Sequence, residues 1–385
     1  MSKLVKPAIL SISLLIIMTN NTISPALSEI SSAFPNAGSN LVKLVLTLPS
    51  FVIIPFSSIS GRISSTVKNQ KIIIIGLIVY FLGGISGGFS RNIYELLFTR
   101  ALLGAGMGLL MPFATSLIAD FYKGTERTVM MGLSNAVANF GGIIATLASG
   151  TLAIYNWRYI FIAYSIAIPV LILVTLGLPE PPNKDKTSNK SLSLNNRIIF
   201  IAILAFFLNI AFYAVIINIA LFIKSEGIGN SGYSGIATSF VTFAGFISGI
   251  CLRQISKIFK RFRVPFAISF MSLGFLLLST SHNLTLVLIS NFLVGFGLGI
   301  LKPVLFLNVA DASSSHSNAF AISIVSNSIL FGKFVSPLFL DLWGKIFRNN
   351  SIRFTFLSMG ILLSCAAIIS LLIMIQPKKI FKPKY

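Results

Sequence analysis

Three cations fall inside long apolar runs of the chain: Arg100, Lys302 and Lys333. A charge at the centre of a bilayer costs about 3 kcal/mol, so such a residue faces the protein interior or a water-filled space and marks a binding or ion pathway. A guanidinium or ammonium there can recognise an anion or take part in proton handling. Gly104 and Gly108 lie one and two turns beyond Arg100, on its helical face, where they allow close helix approach. Lys302 lies about three turns beyond Asn291, so those two share a face. The competing reading makes Arg100 a structural residue bonded to backbone carbonyls. In the same reading the two lysines run their stems to a polar region.

Carboxylates are scarce by comparison. None of the nine Asp and Glu falls at the middle of an apolar run. Glu95 is the nearest, at the start of the run that carries Arg100 and off its face, and is the candidate for proton coupling. Asp120, with Lys123, Glu126 and Arg127, reads as a gate network or as a solvated turn. Uncharged polar candidates for a substrate cavity are Asn20, Asn21, Asn139, Asn209, Tyr213 and Asn291. Enzymes embedded in membranes need clustered His, Asp, Glu or Cys. Here His282 and His316 fall on opposite sides of the membrane without an acidic partner, and Cys251 and Cys365 lie in apolar stretches, as packing residues do. No metal site or cofactor is expected.

The elements that position these residues follow from composition. The 385 residues are 55% hydrophobic and 10% charged, too few polar groups to cover a soluble globule. The net charge of +21 would suggest nucleic acid in a soluble protein. Here it sits in short loops between apolar runs. A membrane helix needs about 20 apolar residues, and twelve such runs are present, the first at Ala8–Leu27 and the last at Phe354–Gln376. They are too long, and alternate too little, to be barrel strands. The first follows Lys3 and Lys6 and reads as an uncleaved span. The ninth and tenth are split at the turn-like Ser279–Asn283. Twenty Lys and Arg fall on one side, seven on the other and three within spans. The rich side is expected to be cytoplasmic, with both termini there.

The longest loop on that side, Pro179–Asn196, contains Pro179, Pro181 and Pro182 and three lysines. It divides the chain into a first half, 1–178, a basic linker, 179–197, and a second half, 198–385. The halves repeat. Gly104, Gly106, Gly108, Leu110, Pro112, Ala119 and Asp120, moved on by about half the chain, meet Gly295, Gly297, Gly299, Leu301, Pro303, Ala310 and Asp311. The same shift places Arg100 on Asn291 and Phe140-Gly141 on Phe331-Gly332. A duplicated six-helix unit points to a carrier with its site between the halves.

On these motifs the chain resembles the major facilitator superfamily over all twelve spans. Gly61, Arg62, Lys68 and Lys71 resemble the family's basic loop between helices two and three, with Ser65 where the family has Asp. Arg100 followed by spaced glycines resembles its fourth helix. Asn139, Gly141, Gly142 and Gly150 resemble the glycine-rich fifth helix of its exporters, without their Gly-Pro pair, and Asn156-Trp157-Arg158 resembles their sixth. The resemblance implies an all-α membrane fold of two six-helix halves, with helices one, four, seven and ten around a cavity. It also implies a cytoplasmic gate at the basic loop, Asp120 and Arg127. The function implied is efflux of drugs or small metabolites, coupled to an ion gradient, most readily protons, by a monomer in the plasma membrane. No nucleic-acid partner is expected. The alternative carries an anionic metabolite on Arg100, Lys302 and Lys333.

Overall fold

The computed structural model describes residues 4–179, 195–259, 262–313 and 318–375. Linker residues 180–194, His316, Lys260, Arg261, Lys3 and the basic C-terminal tail lie outside the described residues. Twelve helices are long and apolar enough to cross a membrane: α1 (Val5–Ala33), α2 (Ser39–Ile63), α3 (Asn69–Phe89), α4 (Ile93–Phe121), α5 (Gly124–Tyr155), α6 (Trp157–Gly177), α7 (Asn196–Ser225), α8 (Ser231–Phe259), α9 (Arg263–Thr280), α10 (Leu284–Ala312), α11 (Phe320–Ile346) and α12 (Ile352–Ile375). Each expected run falls on one of them, to within a residue at either end. Asn92 caps α4 and Asn283 caps α10, each accepting a bond from a backbone N–H three residues on, which ends the preceding loop at equivalent points of the two halves. The chain therefore crosses back and forth between two faces. One carries the described chain ends and the linker and is called the termini face; the other is called the far face.

The pairing of helices repeats with the sequence. In the first half α1 packs on α5, α2 on α4, and α3 on both α4 and α6. In the second half α7 packs on α11, α8 on α10, and α9 on both α10 and α12. Matched glycines make matched contacts. A Cβ on Gly106 would lie 2.7 Å from the Tyr80 Cα, and one on Gly297 would lie 2.5 Å from the Ala267 carbonyl, so α4 on α3 and α10 on α9 meet backbone to backbone. Gly104 meets Pro49 and Gly295 meets Val241. Gly108 meets Phe56 and Ile53, and Gly299 meets Ser248 and Gly245. The six glycines expected at helix contacts all sit at close approaches, Gly141 and Gly142 against Leu14 and Ile17 of α1.

Two arginines brace the far face in the same repeated manner. Arg158 donates to the Ser90 carbonyl at 2.9 Å and stacks its guanidinium 4.4 Å from the Trp157 ring centre. Arg353 donates to the Ser281 carbonyl at 2.8 Å, to Ser279 at 2.8 Å and to both Glu226 carboxylate oxygens at 2.9 and 2.7 Å. One side chain thus ties together three loops of the second half.

Two predictions follow the packing. Gly297→Val is expected to lower the detergent-solubilised melting midpoint by several degrees, since overpacking costs roughly 1–3 kcal/mol. Gly249→Ala, with nothing within 4 Å of its Cβ position, should leave the midpoint unchanged in the same thermal scan. The Arg353 guanidinium holds the Glu226 carboxyl below its ordinary 4.5. A carboxyl with a depressed folded-state value stabilises the fold above 4.5 and loses that contribution as pH falls through the folded value. The melting gap between wild type and Glu226→Gln should therefore be flat above pH 5 and close as the pH drops below 4.5.

Candidate functional site

The two halves meet along two seams, α5 against α8 and α2 against α11. At the first, a Cβ on Gly150 would lie 2.9 Å from the Gly235 Cα, so the helices touch without intervening side chains. Every hydrogen bond or ion pair between described residues of opposite halves lies from the middle of the molecule to the far face. Asn20 Nδ2 donates to Tyr213 Oη at 3.3 Å, and Asn21 Nδ2 to Thr242 Oγ1 at 3.4 Å. Ser24 Oγ donates to the Ile216 carbonyl at 2.8 Å. Lys224 pairs with Glu29 at 2.9 Å and donates to Ser32. At the second seam Asn40 and Lys43 of α2 face Asp341 of α11. Nearer the middle the Phe51 ring stacks on Phe334 with centroids 4.7 Å apart. Among the described residues the polar clasp ends toward the termini face.

Lys302 and Lys333 lie below this clasp. Lys302 is ten residues, about 15 Å, from the termini-face end of α10. Its side chain is exposed. Lys333 is midway along α11 and half-buried, with Nζ 5.1 Å from the Tyr213 ring centre. The two ammonium groups lie within electrostatic reach of one another. Neither has a carboxylate within 4 Å among the described residues, whose three ion pairs are Lys224–Glu29, Lys345–Asp341 and Arg353–Glu226. Tyr213 of α7, beside Lys333, is bonded in turn to Asn20 of α1. Two recesses of about 490 and 510 Å³, one between α9 and α12 and one at the α5–α8 seam, include neither lysine.

Arg100 is elsewhere. It is fully buried within the first half, its Nη2 donating to the Gly83 and Gly84 carbonyls at 2.8 and 3.1 Å and its Nη1 to Tyr164 Oη at 3.2 Å. Phe161 and Tyr164 cover the guanidinium at 4.9 and 5.1 Å. Tyr164 in turn donates to the Thr19 carbonyl of α1. All of its partners belong to the first half, so the expected cavity positive on both halves is positive on one. The structural alternative describes Arg100: it joins α3, α4 and α6 where two glycines leave carbonyls in reach.

Glu95 is corrected as well. Its carboxylate accepts from the Arg91 backbone N–H and from Asn92 Nδ2, both at 2.7 Å, while its own N–H donates to Asn92 Oδ1. This is a reciprocal helix cap at the far face, exposed and outside the cavity, not a proton-coupling position. The signal was in the sequence, as an Asn with Glu three residues later before an apolar run. Asn139 bonds to the Asn135 carbonyl, Asn209 to Ala205 and Asn291 to Ala237. Asn209 and Asn291 are buried and each keeps one carbonyl oxygen without a partner. Asn21 sits in the seam, bonded also to Gly142. On the termini face Gly61, Arg62, Lys68, Lys71, Asp120 and Arg127 are all exposed. Asp120 makes no ion pair within 4 Å among the described residues. The loop is tied instead to α6 by Gln70, which donates to Val174 and Thr175.

Twelve helices in two matched halves, with cations between them and one face joined, define the architecture of a membrane carrier. The sequence matches the Major Facilitator Superfamily family model over residues 9–337, and the chain belongs to that family. It is 25% identical over 322 residues to the quinolone resistance protein NorA of Staphylococcus aureus, covering 78% of this chain and 80% of that protein. The multidrug efflux pump SdrM of the same species is 29% identical over 211 residues, 52% of this chain and 46% of that one. The Bacillus subtilis multidrug transporter MdtP is 28% identical over 133 residues, 34% of this chain. The chain thus covers less than half the length of SdrM and 24% of MdtP. Among solved structures, the nucleoside transporter NupG aligns with TM-score 0.77 at 11% identity, over 95% of this chain and 99% of that one. An inward-facing, occupied bacterial homolog of the human lysosomal transporter Spinster aligns at 0.71 and 17%, over 96% and 94%.

Removing a buried donor strands the carbonyls it served, at about 1–3 kcal/mol each. Lys cannot reach three acceptors in Arg's planar fork. Arg100→Lys is therefore expected to lower the melting midpoint markedly, measured on the purified protein, while leaving ligand affinity of the folded fraction within about twofold.

Proposed function

We propose that the protein is a secondary active exporter of drugs or small metabolites, working by alternating access. The observation that carries this reading is the one-sided clasp: polar contacts between the halves run from Asn20–Tyr213 outward, with Lys302 exposed on the termini-face side of them. Such a site presents to one side, and reaches the other only if the halves rock about it. We assign the termini face to the cytoplasm, because loops there carry most of the positive charge. The membrane we assign is the plasma membrane, and the working unit a monomer with a small molecule as its only cargo. Export as the direction, rather than uptake, is supported by the name of the SdrM relative, a multidrug efflux pump.

An ion gradient drives the cycle in this reading, with protons as the coupling ion. With Glu95 committed to a helix cap, the titratable groups at the cavity are Lys302, Lys333 and Tyr213.

Cross-linking tests the rocking motion. Glu29 and Lys224 join the halves through exposed side chains, so Glu29→Cys with Lys224→Cys, in a chain with Cys251 and Cys365 changed to Ser, accepts a short bifunctional thiol reagent. Export from whole cells should stop on cross-linking and return when a cleavable reagent is reduced. Unchanged export in the cross-linked protein would sink the alternating-access reading.

A further inference from the structure

We propose that the cavity is a site for organic anions, in which Lys302 and Lys333 hold a carboxylate, sulfonate or phosphate group and the Tyr213 ring takes the apolar body. The inference rests on the exporter reading and names its substrate class.

Four observations converge on it. Lys302 of α10, exposed, and Lys333 of the neighbouring α11, half-buried over the Tyr213 ring, lie within electrostatic reach of each other. Like charges brought together are unfavourable unless an anion is shared between them. No carboxylate among the described residues comes within 4 Å of either. An ammonium whose task was structural would be expected to have its partner built in, as Arg100 has. Lys302 is exposed in mid-helix, which keeps its donors available to a solute. Finally, among the described residues the charges placed here are the two ammonium groups, so an organic cation would meet repulsion.

The Tyr213 ring lies against Lys333 and gives an anion with an aromatic body a face to stack on. An anionic cargo also eases the demand for a coupling carboxylate. If the termini face is cytoplasmic, an inside-negative potential alone supports a concentration ratio of roughly 50-fold per 100 mV for a monoanion moving outward.

The test uses full-length purified protein and three probes of one shape: 2-naphthoate, 2-naphthalenesulfonate and 2-naphthylmethylammonium. Binding is read by thermal shift and by equilibrium dialysis. The two anions should bind and the cation should not. Lys302→Met and Lys333→Met should each weaken anion binding at least tenfold, and Lys302→Arg should restore most of it. The methionines keep side-chain length at positions that serve no packing bond, and melting of the unliganded variants checks that they fold. Anion binding unchanged in the double Met variant overturns the proposal, as does preference for the ammonium probe. If the cysteine cross-link still stops export while neither anion binds, the carrier stands and the anion site falls. If cross-linking leaves export intact, it is the exporter reading that fails.

Discussion

A charge held within a bilayer has to be satisfied by the protein or by water that the protein admits, because lipid offers neither donors nor acceptors. The two halves answer that demand in opposite ways. In the first half Arg100 is closed off and every partner is supplied by α3 and α6: the Gly83 and Gly84 carbonyls, Tyr164 Oη and two ring faces. Tyr164 passes the constraint on to α1 through the Thr19 carbonyl. Four helices are thereby fixed around one side chain. In the second half Asn291 stands at the matching position, bonded only to Ala237, and the cations have moved to Lys302 and Lys333 beside the open space. One half spends its buried charge on rigidity; the other leaves its charges for a solute.

Duplication accounts for how such different interiors share one frame. The contacts that survive in both copies are those made by backbone. Gly106 on α3 matches Gly297 on α9, and the carbonyls at the ends of α3 and α9 receive Arg158 and Arg353 respectively. Glycine contacts have no side chain to vary, and a single added Cβ meets main-chain atoms. The side chains that line the space between the halves carry no such restraint. They have diverged until little in one half predicts the other. Even the seams obey the repeat: α5 on α8 and α2 on α11 exchange when the halves are swapped, yet the first is sealed by glycines and the second by phenylalanine rings.

The same division explains what was legible in the sequence. Twelve spans and the glycine contacts follow from hydropathy and an offset, both local or periodic signals. Lys302 and Lys333 stood out because charge in an apolar run is costly whatever surrounds it. The fate of Arg100 was not legible, since its partners lie 16 to 64 residues away on two other helices and nothing periodic relates them. Glu95 was legible but misassigned: its distance from mid-membrane and the Asn three residues before it both describe a cap. The pairing of Asn20 with Tyr213, 193 residues apart, depends on how two independently folded halves dock, and no one-dimensional pattern encodes that.

Docking of that kind also has to be reversible for a carrier, and the far-face contacts have the character this requires. The clasp consists of a few side-chain hydrogen bonds, worth about 1 kcal/mol each net, and an exposed ion pair worth at most about 1 kcal/mol. The glycine contact at Gly150–Gly235 is a sliding surface with no interlocked side chains to break. By contrast, the interior of each half is held by large buried rings and by an arginine whose removal strands several groups. A few kcal/mol between the halves is the scale on which a ligand's differential affinity can shift populations. A small molecule bound between Lys333 and the Asn20–Tyr213 bond would bear directly on that balance, because Tyr213 serves both the site and the clasp.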